Sequence, residues 1–137
     1  MALRLDGVLC WVALVQLLCV QILAEPLKEA PIRLSVVSDV SNEAPQVYHS
    51  SALQRGSLLG ALRRLQDTNS DFKFTVTENP DYGYYLESVN GVAGSESDFT
   101  YWQILTDVHG SPTLIDVGLG CYTPKPYEHI TLKLTTW

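Results

Sequence analysis

Apolar and polar residues alternate over several short segments of the chain, with the two-residue period of strands that bury one face. Ile32, Leu34 and Val36 show the pattern first, separated by Arg33 and Ser35. Clusters of turn-forming asparagine, proline, glycine and serine lie between such segments. The pattern predicts strands over residues 32–36, 46–50, 72–77, 84–89, 100–105 and 130–134.

A helical period appears in one part of the chain after residue 31. Leu58, Leu62 and Leu65 recur at helical spacing, and Ser57 before them is a suitable N-cap. One helix among five to seven strands, without βαβ alternation, predicts an α+β fold in which a single helix packs on a mainly antiparallel β-sheet. The Asn90-Gly91 pair predicts a tight hairpin turn, after which 100–105 is the returning strand.

The N-terminal segment has the layout of a secretory signal peptide: one arginine, a short apolar run and a small residue for cleavage. A membrane anchor is the alternative, but Gln16 and Gln21 interrupt an already short apolar run. We therefore expect a secreted, extracellular protein with no membrane attachment after cleavage. The predicted division is a signal peptide over 1–24, a flexible leader over 25–31 and one domain over 32–137.

Charge and cysteine content narrow the class of function. The formal net charge is -6 at pH 7 with scattered acidic residues, which disfavours nucleic acid as a partner. Cys121 is the one cysteine beyond the predicted signal peptide, so we expect it to be buried, with an intermolecular disulfide as the alternative. His49, His109 and His129 show no metal-ligand spacing, and no nucleophile motif surrounds the cysteine. The sequence predicts neither an enzyme nor a metal site.

Residues 82–105 concentrate aromatic side chains around two strand-like runs. Binding sites for bulky ligands are mostly apolar, with a few placed polar groups, and this segment has that composition. We interpret the chain as a binding module. The Tyr82, Tyr84 and Tyr85 cluster also suits a protein-binding patch, because tyrosine is favoured at interfaces.

Four motifs carry a resemblance to a known family. They are GSLLGALRRLQ, then GYYLESVNGV, then TYWQIL, and finally Gly118 and Tyr122 ahead of EHITLKLTTW. In these the chain resembles the C-terminal β-domain of the vitamin B12 carriers, the family of transcobalamin, haptocorrin and gastric intrinsic factor. The resemblance covers nearly all of 32–137.

The resemblance implies a secreted module for cobalamin binding and transport, with cobalamin as ligand and not as catalytic cofactor. Aliphatic side chains would cover the edge of the corrin ring, and an acidic side chain or nearby backbone would meet its amides. The family's ligand-facing positions fall on Asp81, Leu86, Ile104 and Ile115 or its neighbour Leu114, with Tyr82 and Trp102 beside them on the same rim.

One departure from the family and one alternative interpretation qualify this expectation. The carriers close an α/α-barrel and the β-domain around the corrin, whereas this sequence shows no barrel. We therefore expect one half of a corrinoid site, which binds weakly alone and more tightly with a barrel-bearing carrier chain; a cell-surface receptor is a further candidate partner. Leu86, Trp102 and Ile104 also suit core positions, and the alternative function is a secreted protein-interaction domain that has lost the ligand.

Overall fold

A computed structural model describes residues 28–137, so the predicted signal peptide and the first three leader residues lie outside the described part. The described chain folds into two β-sheets and one helix. The elements are β1 (Glu29–Ser38), β2 (Gln46–Leu53), α1 (Leu58–Thr68), β3 (Phe74–Asn79), β4 (Gly83–Val89), β5 (Val92–Ala93), β6 (Thr100–Asp107), β7 (Thr113–Leu114) and β8 (His129–Thr136).

The larger sheet has five strands in the order β2-β1-β8-β6-β7. Its neighbouring strands are antiparallel except for β1 and β8, which run parallel. The alternation predicted from sequence places Leu34 and Val36 of β1 beside Ile130 and Leu132 of β8 on the buried face. The expected α+β fold, with one helix on mainly antiparallel strands, is confirmed.

The strands form two sheets where the sequence predicted one. The Asn90-Gly91 turn is present, with φ of 51° and 82°, but it joins β4 to the short β5. The strand expected to return, β6, pairs with β8 in the other sheet, where Ile104 stands opposite Leu132. The short strand β5 satisfies the hairpin preference of Asn90-Gly91, so β6 is free to place an apolar residue beside the core face of β8.

Strand β1 begins at Glu29 and so extends three residues into the segment predicted as a flexible leader. The pairing with β2 continues to the end of that strand, where Glu29 stands opposite Leu53. Pro31 lacks an N–H, but its carbonyl still accepts a hydrogen bond from the Tyr127 N–H at 2.8 Å. The leader prediction is therefore wrong for residues 29–31.

Helix α1 covers the buried face of the large sheet. Ser57 caps it, because the serine side chain accepts a hydrogen bond from the Gly60 N–H at 3.1 Å. The cap satisfies one of the N–H groups that the first helical turn leaves without a partner. The buried side chains of the helix are Leu58, Leu59, Ala61, Leu62 and Leu65.

Replacing Ser57 by alanine is expected to lower the free energy of unfolding by about 1 kcal/mol, because the Gly60 N–H loses its acceptor. Urea denaturation of the variant and the wild type measures the change. Ser70→Ala, at an exposed turn position after the helix, is the control and should change stability by less than about 0.5 kcal/mol. Equal losses in the two variants would contradict the capping role.

Candidate functional site

A groove of about 660 Å³ lies where the two sheets meet. Strand β4 of the small sheet forms one wall and strand β6 of the large sheet forms the other. The segment 114–121, which begins at the last residue of the short edge strand β7, closes the end of the groove. The site is therefore built from three parts of the chain that are distant in sequence.

All seven residues predicted as ligand contacts line this one groove. Leu86 is buried and Leu114 is 54% exposed, so the set includes both the floor and the rim of the groove. The others are Asp81 and Tyr82, both exposed, and Trp102, Ile104 and Ile115, all half-buried.

The interpretation of three of these residues as core positions is also correct in part. Leu86 belongs to the main hydrophobic core, and Trp102 and Ile104 pack against it. The indole N–H of Trp102 donates to the Val92 carbonyl at 2.9 Å and so ties β6 to β5 of the other sheet. These side chains present one surface to the core and another to the groove.

The Asp81-Tyr82 rim is fixed by the turn before β4. The side-chain oxygen of Asn79 accepts hydrogen bonds from the Asp81 N–H at 2.9 Å and from the Tyr82 N–H at 3.1 Å. This arrangement is an Asx turn, which asparagine forms readily. Gly83 follows with a φ of 78°, a conformation that glycine adopts at little cost. The turn leaves the Tyr82 ring 80% exposed at the edge of the groove.

The segment 114–121 is held against both walls by backbone hydrogen bonds. The Ile115 N–H donates to the Ile104 carbonyl at 3.2 Å, and the Leu119 N–H donates to the Tyr84 carbonyl at 3.0 Å. Gly118 lies so close to β4 that an added Cβ would be 2.8 Å from the Tyr82 carbonyl oxygen. A glycine at this position allows the close approach that shapes the groove.

Several further side chains line the groove, although they were not predicted from the sequence as ligand contacts. Tyr84 and Tyr85 stood out only as a cluster suited to protein binding. Cys121, expected to be buried, is exposed and lines the groove. It lies in a turn, where its N–H donates to the Gly118 carbonyl at 3.0 Å. The other lining residues that sequence reasoning left out include Tyr101, Gln103, Asp116 and Val117.

A buried carboxyl group lies after this segment, at the start of β8. Glu128 is 1% exposed, and its Oε1 accepts a hydrogen bond from the Tyr122 hydroxyl at 2.7 Å. Burial raises the pKa of Glu128, and the hydrogen bond from Tyr122 offsets part of that increase. Burial also raises the pKa of Tyr122, as does the neighbouring Glu128. Within the described residues, the Oε2 atom of Glu128 has no hydrogen-bond partner.

Because the pKa of Glu128 lies above its ordinary value of 4.5, the folded state keeps this proton at pH values where the unfolded state has lost it. The free energy of unfolding of the wild type, relative to Glu128→Gln, is therefore expected to rise as the pH falls from 7 towards the ordinary value of 4.5. Urea denaturation at several pH values measures this difference. A difference that stays constant over the range would contradict the assignment. Glu87→Gln, at an exposed position, is the control.

The three histidines do not come together. Across residues 28–137, no group of three or more histidine, cysteine, aspartate or glutamate side chains is arranged to hold a metal ion. His129 has a structural role: its Nε2 lies 2.7 Å from the Ser35 hydroxyl and its Nδ1 lies 3.2 Å from the Arg33 guanidinium. Burial lowers the pKa of His129, as does the charge of Arg33. No helix in this part of the chain is long and apolar enough to cross a membrane.

Known proteins share both the sequence and the fold. The chain is 39% identical over 80 residues to cobalamin binding intrinsic factor of Canis lupus familiaris, a match over 58% of this chain and 18% of the relative. It is 31% identical over 112 residues to transcobalamin-2 of Bos taurus, over 82% of this chain and 24% of the relative. No family model matches the sequence.

A crystal structure of haptocorrin in complex with Cbi superposes with a TM-score of 0.67 at 20% identity, over 82% of this chain and 26% of that chain. A solved protein from Ruminococcus gnavus superposes with a TM-score of 0.54 at 14% identity, over 79% of this chain and 98% of that one. The second match shows that a similar fold also makes up almost the whole of a solved chain.

The fold and groove define a one-helix α+β domain with an open, largely apolar cleft between two sheets. The matches relate the chain to the C-terminal domain of the vitamin B12 carrier family. The chain spans about a fifth to a quarter of the length of the curated relatives, 18% of intrinsic factor and 24% of transcobalamin-2.

Proposed function

We propose that this protein is a secreted cobalamin-binding and transport module whose groove supplies one half of a corrinoid site. The observation that carries the proposal is that all seven positions matched to the ligand-facing residues of the carriers line one groove. Chain segments 81–86, 102–104 and 114–115 are far apart in sequence, so this convergence depends on the fold.

The chemistry of the groove suits a large ring with polar side chains. Leu86, Ile104 and Ile115 offer aliphatic surface for the edge of the macrocycle. Asp81 lies exposed at the rim, where its carboxylate is positioned to accept hydrogen bonds from the amide side chains of the ligand. Tyr82 and Trp102 add flat aromatic surface beside it. The groove contains binding groups of both kinds that a corrinoid needs.

The groove is open to solvent, and this lowers the affinity expected for the chain alone and favours a partner chain that covers the ligand. Tyr82 and Leu114 stay largely exposed in the described chain, so one face of a bound corrinoid would remain in water. Binding must also offset the translational freedom that the ligand loses. We infer weak binding by this chain alone, with tighter binding when a barrel-bearing carrier chain covers the other face. The role is that of a non-enzymatic carrier, and a cell-surface receptor is a further candidate partner.

Replacing Leu114 by serine is expected to weaken cobalamin binding about tenfold, because the side chain would be covered by the ligand and its burial contributes about 1.5 kcal/mol or more. Val47→Ser is a matched control, since Val47 is 53% exposed and Leu114 is 54% exposed, but Val47 does not line the groove. Absorbance titrations with cobalamin compare the two variants. Equal affinities would argue against this groove as the site.

A further inference from the structure

A second cavity of about 470 Å³ lies at the open end of the β1–β2 hairpin, where β1 begins and β2 ends. It shares no lining residue with the groove. Ala52, Leu53 and Pro124 contribute apolar wall, and the proline belongs to the loop that precedes β8. Small-molecule sites have volumes of about 300 to 1,000 Å³ and mostly apolar walls, so this cavity is of suitable size and composition.

The charges that line the cavity are all positive. Lys28, Arg55 and Lys125 are the ionisable residues of its wall, although the whole chain carries a formal net charge of -6. Over residues 28–137, the one ion pair with a nitrogen–oxygen distance within 4.0 Å joins Lys133 to Asp39. Arg55 and Lys125 therefore form no ion pair with any of the described residues. The buried Glu128 carboxyl lies within electrostatic range of Lys125 but does not line the cavity. The cavity therefore presents a local excess of positive charge.

Arg55 reaches this position through an unusual backbone conformation. Its φ is 63°, in the left-handed region that is unfavourable for a residue with a Cβ atom, and asparagine adopts it more readily than arginine. The turn is closed by the Gly56 N–H, which donates to the Leu53 carbonyl at 2.8 Å. Strained residues of this kind concentrate at functional sites. The backbone conformation at this turn position therefore does not by itself favour arginine.

We propose that this cavity binds an amphiphilic anion, a small molecule with an alkyl or aryl body and a carboxylate head. The body packs against Ala52, Leu53 and Pro124, and the carboxylate accepts hydrogen bonds from the Arg55 guanidinium and the Lys125 ammonium group. Such charge-assisted hydrogen bonds are about twice as strong as neutral ones, and the fork of an arginine matches the two oxygens of a carboxylate. This site is separate from the corrinoid groove and does not depend on the function proposed for it.

Calorimetric titration of the purified protein with decanoate, below the concentration at which it forms micelles, tests the proposal. Saturable binding at one decanoate per chain is expected, with binding of decan-1-ol and decyltrimethylammonium at least about tenfold weaker because both lack the negative head. Absence of saturable decanoate binding, or equal binding of all three probes, would overturn the proposal.

The Arg55→Asn variant separates a binding role from a structural one. It removes the positive charge and suits the left-handed backbone better, so decanoate affinity should fall about tenfold while the melting temperature stays the same or rises. Lys125→Gln should show the same loss of affinity and serves if the first variant is unstable. Lys73→Gln, an exposed lysine outside the cavity, is the control and should bind like the wild type. Unchanged affinity in both Arg55→Asn and Lys125→Gln would also overturn the proposal.

Discussion

Replacement of Gly118 by alanine is expected to lower the free energy of unfolding by about 1 to 3 kcal/mol and to weaken cobalamin binding at least about tenfold. An added Cβ would stand 2.8 Å from the Tyr82 carbonyl oxygen and 3.1 Å from the Tyr84 carbonyl oxygen. Both contacts are with backbone, which cannot move aside as a flexible side chain can. The segment 114–121 must therefore shift away from β4, and the end of the groove shifts with it.

The consequences of that shift follow from the contacts around Gly118. The Leu119 N–H would lose or lengthen its 3.0 Å hydrogen bond to the Tyr84 carbonyl. Ile115, four residues before Leu119 on the same segment, would move relative to the other residues that line the groove. Urea denaturation measures the loss of stability, and a cobalamin absorbance titration measures the loss of affinity.

Gly120→Ala is the matched control for this prediction. A Cβ at Gly120 would lie 3.5 Å from the Cδ2 atom of the Tyr84 ring, which is an ordinary van der Waals contact. This second glycine lies two residues along the same segment, so stability should change by less than about 0.5 kcal/mol, with little change in affinity. If Gly118→Ala unfolded and bound cobalamin like Gly120→Ala, the role of the close approach would be contradicted.

Replacement of Phe72 by alanine is expected to cost about 3 to 5 kcal/mol of unfolding free energy. Phe72 is 0% exposed, and its ring forms an edge-type pair with Tyr48 at a centroid distance of 5.2 Å and stacks on Phe74 at 5.8 Å. The side chain lies just before β3 and shares the core with β2 of the other sheet. Its removal leaves a cavity that the surrounding strands can fill only in part.

A loss of this size is a large part of the 5 to 15 kcal/mol, in approximate terms, that stabilises a typical domain. Chemical denaturation monitored by circular dichroism measures it. Phe99→Ala is the control: Phe99 is 59% exposed and its ring pairs with that of Trp137, which is 65% exposed, so a loss of about 1 kcal/mol or less is expected. Comparable losses in the two variants would contradict the assignment of Phe72 to the core.

The elements of the fold were predictable where one local pattern determined them. The alternation in β1 and β8 and the leucine period of α1 follow from burial of one face, and the structure has all three elements. The division into two sheets was not predictable. It depends on whether β6 pairs with β4 across the Asn90-Gly91 turn or with β8, more than twenty residues away, and no local pattern decides between them.

The residues of the groove were also only partly predictable from local sequence patterns. Leu86 and Ile104 are strand positions whose sequence context fits a buried core residue as well as a ligand contact, and each contacts both core and groove. The family resemblance, not the periodicity, selected them. Cys121 was expected to be buried because free cysteine usually is, but it lies exposed in a turn beside Gly118. Loop residues of this kind take their exposure from the packing of the elements they connect, which sequence patterns do not specify.

A titration of the purified protein with cobalamin tests whether the groove between β4 and β6 binds a corrinoid. Calorimetry, with the corrinoid absorbance followed in parallel, should show saturable binding at one cobalamin per chain, with a Kd of about 1 μM to 1 mM for the chain alone. Addition of a barrel-bearing carrier chain should make that binding tighter. If the protein took up no cobalamin saturably, either alone or with such a chain, the groove would not be a corrinoid site.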